Sequence, residues 1–401
     1  MYCPVCGHLM KRNGWLRKHP VKIRILGIAG VPTILSITKQ QYICKPSAAC
    51  PQTITCVAPV QGIKKGCRIA NLVKHDISME LADNISQSDI AKHHQVSVNT
   101  VSRVLDSLES SLVPDRHWLP ATIAFDDFKS GKFNRSGMSM ILMNPTDHRT
   151  IDIIRSRQSQ DLRHYFLYHF SAKARRAVKI VVVDLFQPYR NLIHDLFPNA
   201  VIVADHFHVV VQAYRALQTV RVQVMNQYGS GTHEYRILKR FWKLLMQRIS
   251  QLDFIHYYRR RNFGYACLSN SDIVDCLLDL SADLKVAYEY YQTLLSAIQH
   301  TNVDELKSLL KWKLTQLPEP LQKAQRTLRK HQNEIFNSFA CHLTNGPIEG
   351  TNNKIKVIKR TAYGFRNFYH FRIRILLSVK NSNLMIKYLP KKKTSSSSFA
   401  A

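Results

Sequence analysis

The 401-residue sequence predicts a multidomain α+β protein in which a mixed-sheet α/β domain is interrupted by an all-helical block. Three observations carry this. Six of the nine cysteines lie within the first 67 residues. Between about 118 and 210, short β-branched runs alternate with amphipathic helical stretches. From about 211 to 335 the strand signal vanishes and long helical patterns replace it.

Composition bounds the function. Apolar residues make up 45% and charged residues 21%, enough to bury real cores and to exclude wholesale disorder. The apolar run 25–38 is broken by Gly27, Gly30 and Pro32 and is too short to span a bilayer. Met1-Tyr2-Cys3-Pro4 does not open a signal peptide, so a soluble cytoplasmic protein with no membrane partner is expected. Lys and Arg number 57 against 27 Asp and Glu, a net charge of +30. The excess is concentrated at the ends: residues 1–75 hold 12 Lys/Arg and residues 350–401 another 12, and neither segment contains an acid. One-signed ends around a mixed middle are the footprint of a phosphate-backbone binder, and the expected partner is nucleic acid. A solvated basic surface or an anionic lipid surface would not explain bases interleaved with folded-domain hydrophobics.

Residues 1–60 read as a zinc ribbon. Cys3-Pro-Val-Cys6-Gly7 is a tight knuckle presenting two thiolates, and tetrahedral Zn²⁺ needs two more ligands. Val21–Ile28 and Thr33–Ile43 read as a strand pair with Cys44 directly after it, and Cys50 is the favoured fourth ligand, Cys56 and His8 being spare candidates. Disulfides are disfavoured in an intracellular chain.

Residues 61–117 read as a helix-turn-helix domain. Ser88 would cap a short helix through His94, Gln95-Val96 would turn, and Ser97 would cap a second helix carrying Val101, Val104, Leu105 and Leu108 at helical spacing. That second helix would offer Ser97, Asn99, Thr100 and Arg103 to the major groove. The plainer alternative is an αα-hairpin that only packs a core.

Residues 118–210 carry the order β-β-β-α-β-α-β-α. Thr122–Phe125 runs into Asp126-Asp127, Met138–Met143 and Thr150–Ile154 flank the turn Asn144-Pro-Thr-Asp147, and Gln158–Phe170 is an amphipathic helix. Val178–Val183 is a buried β-branched strand ending at Asp184, followed by the helix Pro188–Leu196, the strand Ala200–Val203 and a helix after His206. Three strands in meander followed by βα units match the ribonuclease-H-like fold. Residues 211–335, with helical stretches Arg236–Gln251, Ile273–His300 and Val303–Leu317, form the all-helical insertion. Residues 336–385 return to the ribonuclease-H-like domain as its C-terminal helical part, and 386–401 are a basic, Ser-rich tail.

Asp126 and Asp184 stand at the ends of strands that are neighbours in such a sheet, so their carboxylates would converge. Oxygen-only ligands suit hard cations, and two Mg²⁺ (or Mn²⁺) ions can clamp the attacking and leaving oxygens of a phosphoryl displacement. The third acid needed is met by Glu349, in the first turn of a helix opened by Gly346-Pro347, with Asn353, Lys356 and Arg360 on its stripe. Asp127 could replace Asp126, but strand alternation lets only one of them face the site. Asp205 and His208 would sit near the same sheet edge, His208 either orienting DNA or steadying the metal acids, or the two forming a satisfied buried polar pair.

The motifs Cys3-Pro-Val-Cys6, Phe125-Asp126-Asp127-Phe128, Val183-Asp184-Leu-Phe-Gln-Pro-Tyr-Arg190, Ala204-Asp205-His-Phe-His-Val209, Asn345-Gly-Pro-Ile-Glu-Gly-Thr-Asn-Asn-Lys354 and Lys359-Arg-Thr-Ala-Tyr-Gly-Phe-Arg-Asn367 occur in this order. Together with the helix-turn-helix, this set resembles the ISL-three family of bacterial insertion-sequence transposases. The resemblance implies an Asp-Asp-Glu (DDE) triad of Asp126, Asp184 and Glu349 binding Mg²⁺, with the helical insertion between the second Asp and the Glu. It implies supporting roles for Asp205, His208 and Asn353, and DNA contacts from Lys356, Lys359, Arg360 and Arg366. It further implies a structural Zn²⁺ on Cys3, Cys6, Cys44 and Cys50, nucleoid association, and DNA partners in the terminal inverted repeats and the target. The expected enzyme is a metal-dependent transposase that cuts and joins strands as a homodimer or larger synaptic complex. The rival readings are a catalytically inactive, transposase-derived DNA-binding regulator and a structure-selective nuclease.

Overall fold

The computed structural model describes residues 1–379 except 18, 29, 116 and 342–345; the tail 386–401 and Asn345 lie outside the described residues. The chain divides into two compact units, residues 1–114 with those from 351 on, and residues 115–350.

In the first unit, β1 (Lys11–Trp15), β2 (Val21–Arg24), β3 (Ile34–Ile37), β4 (Gln40–Cys44) and β5 (Ile54–Val57) form two small sheets. One is antiparallel in the order β1-β4-β5, and the other is the hairpin β2-β3. The expected single pair Val21–Ile28 with Thr33–Ile43 is therefore corrected. Only residues 21–24 and 34–37 pair, because the chain tightens around an Ile28–Val31 bridge and residues 40–44 switch to β1. Gln40 reinforces the switch by donating its amide to the Gly14 carbonyl at 2.6 Å.

Helices α1 (Asn71–Glu80), α2 (Gln87–His93) and α3 (Val98–Ser107) follow. The cap of α2 is Ser86 rather than Ser88: its hydroxyl accepts from the Asp89 amide and donates to the Asp89 carboxylate at 2.7 Å. Asp89 three residues on supplies the reciprocal partner that Ser88 lacks. Ser97 caps α3 as expected, with Gln95 at φ 48° in the intervening turn. Val101, Val104, Leu105 and Leu108 are buried, as the helical spacing requires.

The second unit is built on a five-stranded sheet of β6 (Thr122–Lys129), β7 (Met138–Asn144), β8 (Arg149–Ile154), β9 (Ile180–Val183) and β10 (Val201–Ala204), in the order β10-β9-β6-β7-β8. β6-β7-β8 is an antiparallel meander, while β6, β9 and β10 run parallel. The β7–β8 turn is held by Asn144 and Asp147 carboxamide and carboxylate oxygens accepting the Thr146 and Arg149 amides, the local chemistry that selects a turn there. Helices α4 (Ser159–His169), α5 (Ala172–Ala177) and α6 (Pro188–Leu196) cover one face, where Phe125, Phe166 and Phe197 pack ring to ring at 5.2–6.2 Å.

After β10 come α7 (His206–Gln227), α8 (His233–Arg240), α9 (Trp242–Met246), the hairpin β11 (Tyr258–Arg260) and β12 (Ala266–Leu268), α10 (Asn270–Leu278), α11 (Ala282–Gln299), α12 (Val303–Leu310), α13 (Glu319–Lys330) and α14 (Gln332–Cys341). The expectation of an all-helical block is corrected by β11-β12, whose three-residue strands are too short to produce a legible alternation. The long helices expected over 236–251 and 273–300 are each divided in two, and the one over 303–317 stops at Leu310. Ser269 and Ser281 cap the restarts at α10 and α11. Helix α15 (Gly346–Thr361) buries Ile348, Ile355 and Ile358 and leaves Glu349, Asn353, Lys356 and Arg360 exposed.

The last described helix, α16 (Phe368–Ser378), belongs to the first unit and packs against α3. Its Arg374 is 2% exposed and donates to the carbonyls of Asp83 at 3.0 Å and Ile85 at 2.6 Å; burial draws its guanidinium down to about 10. Arg374→Ala is expected to cost roughly 2–4 kcal/mol of stability, since it deletes both bonds and opens a cavity. Urea unfolding monitored by circular dichroism checks this, and a loss below about 1 kcal/mol would show that water replaces both bonds without penalty.

Candidate active site and zinc centre

The knuckle Cys3–Cys6 closes through the Gly7 amide donating to the Cys3 carbonyl at 3.0 Å, with Gly7 at φ 73°, a conformation that favours glycine. Cys44 ends β4, and Cys50 is brought round by paired Ser47–Cys50 backbone bonds of 2.9 and 3.0 Å. The four ligand sulfurs of Cys3, Cys6, Cys44 and Cys50 lie within 4.8 Å of one another, with Cys6 Sγ and Cys44 Sγ 3.7 Å apart. A zinc–sulfur bond of about 2.3 Å gives a tetrahedron with edges of about 3.8 Å, so the donor set fits a structural Zn²⁺. Cys50 is thereby the fourth member, and Cys56 and His8 stand outside the group. Amides of Cys6 and Val5 draw the Cys3 thiol down to about 7, whereas desolvation pushes Cys44 up to about 12. Cys50→Ser is expected to abolish bound zinc while Cys56→Ser retains about one ion per chain, read by elemental analysis of purified protein.

In the second unit the strand register sets the acids. The last β6–β9 pair is Ala124 with Val182, and Ala204 of β10 pairs with Val183. Continuing both ladders places Asp126 and Asp205 on either side of Asp184, at the C-terminal ends of parallel strands. Asp126 does not end its strand: β6 runs on to Lys129, held there by β7 alone. Asp127 pairs with Arg157, and this leaves Asp126 as the acid beside His208. His208 Nε2 lies 4.0 Å from Asp126 Oδ1 and 3.8 Å from Asp205 Oδ2. Asp205 also caps α7 through the Phe207 amide, which explains why so buried an acid sits there.

Burial pushes the Asp126 carboxyl up to about 7, with the His208 ring opposing and Asp127 and Asp205 reinforcing the shift. Asp184 is raised as well, again chiefly by burial. Crowded, desolvated carboxylates whose donors are all oxygen fit a hard divalent cation, which would relieve the repulsion. Glu349 is exposed in the first turn of α15. Among the described residues the four cysteines are the one set of three or more His, Cys, Asp or Glu ligand atoms all within 4.8 Å, so Asp126, Asp184 and Glu349 do not form such a group.

Arg190, Glu334 and His331 form a support that the sequence did not single out by role. Arg190 is 4% exposed and donates to the Asp184 carbonyl at 2.5 Å and the Phe186 carbonyl at 2.8 Å. It also forks onto Glu334 of α14 at 2.6–3.2 Å, and Glu334 in turn meets His331 Nδ1 at 3.2 Å. Arg190 closes the motif begun by Val183-Asp184, which was the available signal; nothing near Glu334 flagged it.

The predicted DNA-facing residues divide. Asn99 and Arg103 are exposed one turn apart on α3, whereas the hydroxyls of Ser97 and Thr100 bond each other at 3.0 Å at the helix cap. Lys22, Arg24 and Arg68 line a cleft with Gln95, Ser97 and Thr100. On α15, Lys356 and Arg360 are exposed, Lys359 is half-buried, and Asn353 accepts from Lys356 Nζ at 3.0 Å; Arg366 beyond it is exposed. Among the described residues no helix is long and apolar enough to cross a membrane.

Asp126→Asn should reveal the burial cost. The folded protein keeps this proton up to about 7, whereas an unfolded Asp releases it near 3.8, so wild-type stability falls as pH rises through that window. The melting-temperature advantage of the Asn variant, without metal, should therefore be larger at about pH 8 than at about pH 5. An advantage that does not change with pH would exclude burial as the cause.

A family model described as a transposase, of the ISL3 DDE class, matches residues 123–375. A second, described as the zinc-finger of transposase IS204/IS1001/IS1096/IS1165, matches residues 1–50. The chain is 25% identical over 300 residues to the transposase for insertion sequence element IS1001 of Bordetella parapertussis, covering 74% of this chain and 70% of that one. It is 40% identical over 129 residues to a Lactococcus lactis subsp. lactis protein named an ATP-dependent protease, spanning 32% of this chain and 40% of that protein's length.

Proposed function

The chain belongs to the ISL3 family of transposases, and on that premise we propose that it acts on DNA as an insertion-sequence transposase with Asp126, Asp184 and Glu349 as its catalytic acids. The observation that carries this reading is the juxtaposition of Asp126 and Asp184, by strand register, in buried surroundings that disfavour their charge. The order β10-β9-β6-β7-β8, with three parallel and two antiparallel neighbours, supports assigning the domain to the ribonuclease-H-like class.

In the proposed reaction Asp126 and Asp184 would hold two Mg²⁺ (or Mn²⁺) ions from the sheet edge, and such ions would supply charge neutralisation at the scissile phosphate and polarisation of the attacking oxygen. His208 lies between Asp126 and Asp205, within 4.0 Å of both, and would counter their charge. Arg190 holds the turn that follows Asp184. Glu349, exposed in the first turn of α15, would complete the set as the third acid, with Asn353, Lys356 and Arg360 on the same stripe reaching toward the phosphate backbone. Water first hydrolyses the phosphodiester at the element end; the freed 3′-hydroxyl then attacks a target phosphodiester, forming one P–O bond as another breaks. Positioning and charge stabilisation carry the catalysis.

Recognition of the terminal inverted repeats is assigned to the zinc ribbon and to α2–α3 read as a helix-turn-helix. Asn99 and Arg103 would face the groove, and the cleft of Lys22, Arg24 and Arg68 would face phosphates. Two ends are processed together, which calls for a dimer or larger synaptic assembly.

Supercoiled plasmid carrying an element end should be nicked with Mg²⁺, and Asp184→Asn or Glu349→Gln should each reduce the rate on the order of a thousandfold while binding persists. Cleavage undiminished in Glu349→Gln would remove it from the triad, and no cleavage with any divalent metal would favour the regulator. Pre-cleaved ends should join to target plasmid; hydrolysis without joining would mark a nuclease. Affinity for end DNA should fall by about 10³–10⁵ between roughly 50 and 200 mM salt if six to ten phosphates are neutralised.

A further inference from the structure

The hairpin β11-β12 interrupts an otherwise helical region and carries an unusual surface. Phe254, Ile255, Tyr257, Tyr258 and Tyr265 are 50–78% exposed within twelve residues of one another. Scattered exposed apolar side chains are ordinary, but five large ones in one short segment mark an interaction site.

The segment is also one-signed. No acid lies between Asp253 and Asp272, while Arg259, Arg260 and Arg261 are consecutive. Arg259 and Arg261 are exposed; Arg260 is held inward, its guanidinium 5.0 Å over the Tyr258 ring and donating to Asn270 at 2.9 Å.

The frame beneath these rings is well tied. Asp253 accepts the amides of Ile255 and His256 at 3.1 and 3.0 Å, and the Asp253 carbonyl accepts from Asn270 at 3.1 Å. Phe263 packs on Phe241 at 5.7 Å and so anchors the tip of the loop. Gly264 and Tyr265 follow at φ 61° and 63°, and the Tyr265 amide donates to the Arg260 carbonyl at 3.0 Å. A tyrosine in left-handed backbone is unfavourable and persists only where the surroundings impose it. The structure therefore holds aromatic faces in water on a fixed scaffold, with guanidinium groups between them.

Exposed rings beside exposed arginines match the chemistry of single-stranded nucleic acid, where bases stack on aromatics and cations track the phosphates. An arginine run without a nearby acid calls for an anionic partner, and nucleic acid supplies both the phosphates for the arginines and the base faces for the rings. Fully paired DNA offers no base faces to the rings.

We propose that Phe254–Leu268 is a nucleic-acid contact that grips unpaired or unstacked bases, with Tyr257 and Tyr265 as stacking platforms and Arg259 and Arg261 on the flanking phosphates. This rests on the reading of the chain as a DNA-acting transposase and assigns its helical insertion a substrate-binding role.

The test uses the full-length protein without divalent metal, so that cleavage plays no part. Binding to a labelled duplex carrying an element end is compared with binding to the same duplex containing a central unpaired bubble. Tyr257→Ala with Tyr265→Ala should weaken bubble binding by at least about tenfold and leave paired-duplex binding within about twofold. Tyr257→Phe with Tyr265→Phe should bind both probes as wild type does, since the ring and not the hydroxyl is used. Equal losses on both probes, or no loss on either, would overturn the proposal. So would an unchanged preference accompanied by loss of self-association in sedimentation, which would assign the surface to a second copy of the chain. Wild-type protein that binds neither probe would overturn the DNA-acting reading itself, a result distinct from loss of bubble preference alone.

Discussion

The candidate site depends on how three short parallel strands, β6, β9 and β10, are aligned. Because parallel neighbours in register point the same way, ending β9 at Val183 and β10 at Ala204 sets Asp184 and Asp205 beside each other, and the β6 ladder adds Asp126. A slip of one residue would turn each carboxylate toward the aromatic core of Phe125, Phe166 and Phe197 on the opposite face, where no partner could satisfy it. The hydrophobic core thus enforces the geometry of the acids.

Keeping acids so close has a cost that the surrounding residues offset only in part. Asp127 is drawn off to Arg157 and Asp205 is occupied as a helix cap, while Asp126 and Asp184 retain carboxyls raised by burial. Arg190 acts at the backbone beneath Asp184 and is itself fixed by Glu334, 144 residues away in sequence. A buried arginine with a bidentate acid is costly to break, so the turn after Asp184 and helix α14 are held as one piece of structure. The zinc centre achieves comparable local order by other means: four thiols with little core of their own become a scaffold once a single ion satisfies them.

Much of this was legible in the residues. The run Val178–Val183, the Asn-Pro-Thr-Asp turn, the Pro-led helix Pro188–Leu196 and the spacing of Val101, Val104 and Leu105 each carry a local signal strong enough to place an element within a residue or two, whereas the first strand of the sheet runs on past Phe125 to Lys129. Cysteine spacing pointed to the knuckle, and the family resemblance rested on contiguous motifs. Weak local signals failed in the expected places. The strand pair around residues 21–43 was joined because its apolar pattern does not reveal that two different sheets share it. The hairpin Tyr258–Leu268 was missed because three-residue strands fall below the window in which alternation can be seen.

What the sequence by itself determined is the inventory: a cysteine-rich β module, helical segments, a β-β-β-α-β-α-β-α domain in which only the short helix Ala172–Ala177 goes unread, and the acids and bases along it, because propensity, capping and period act over a few residues. Tertiary structure alone decided which of Asp126 and Asp127 faces His208, that Cys50 rather than Cys56 completes the sulfur group, that Arg190 meets Glu334, and that Glu349 is exposed. Each of these is settled by contacts between side chains brought together from separated parts of the chain or by packing around them, and no local pattern encodes such a distance.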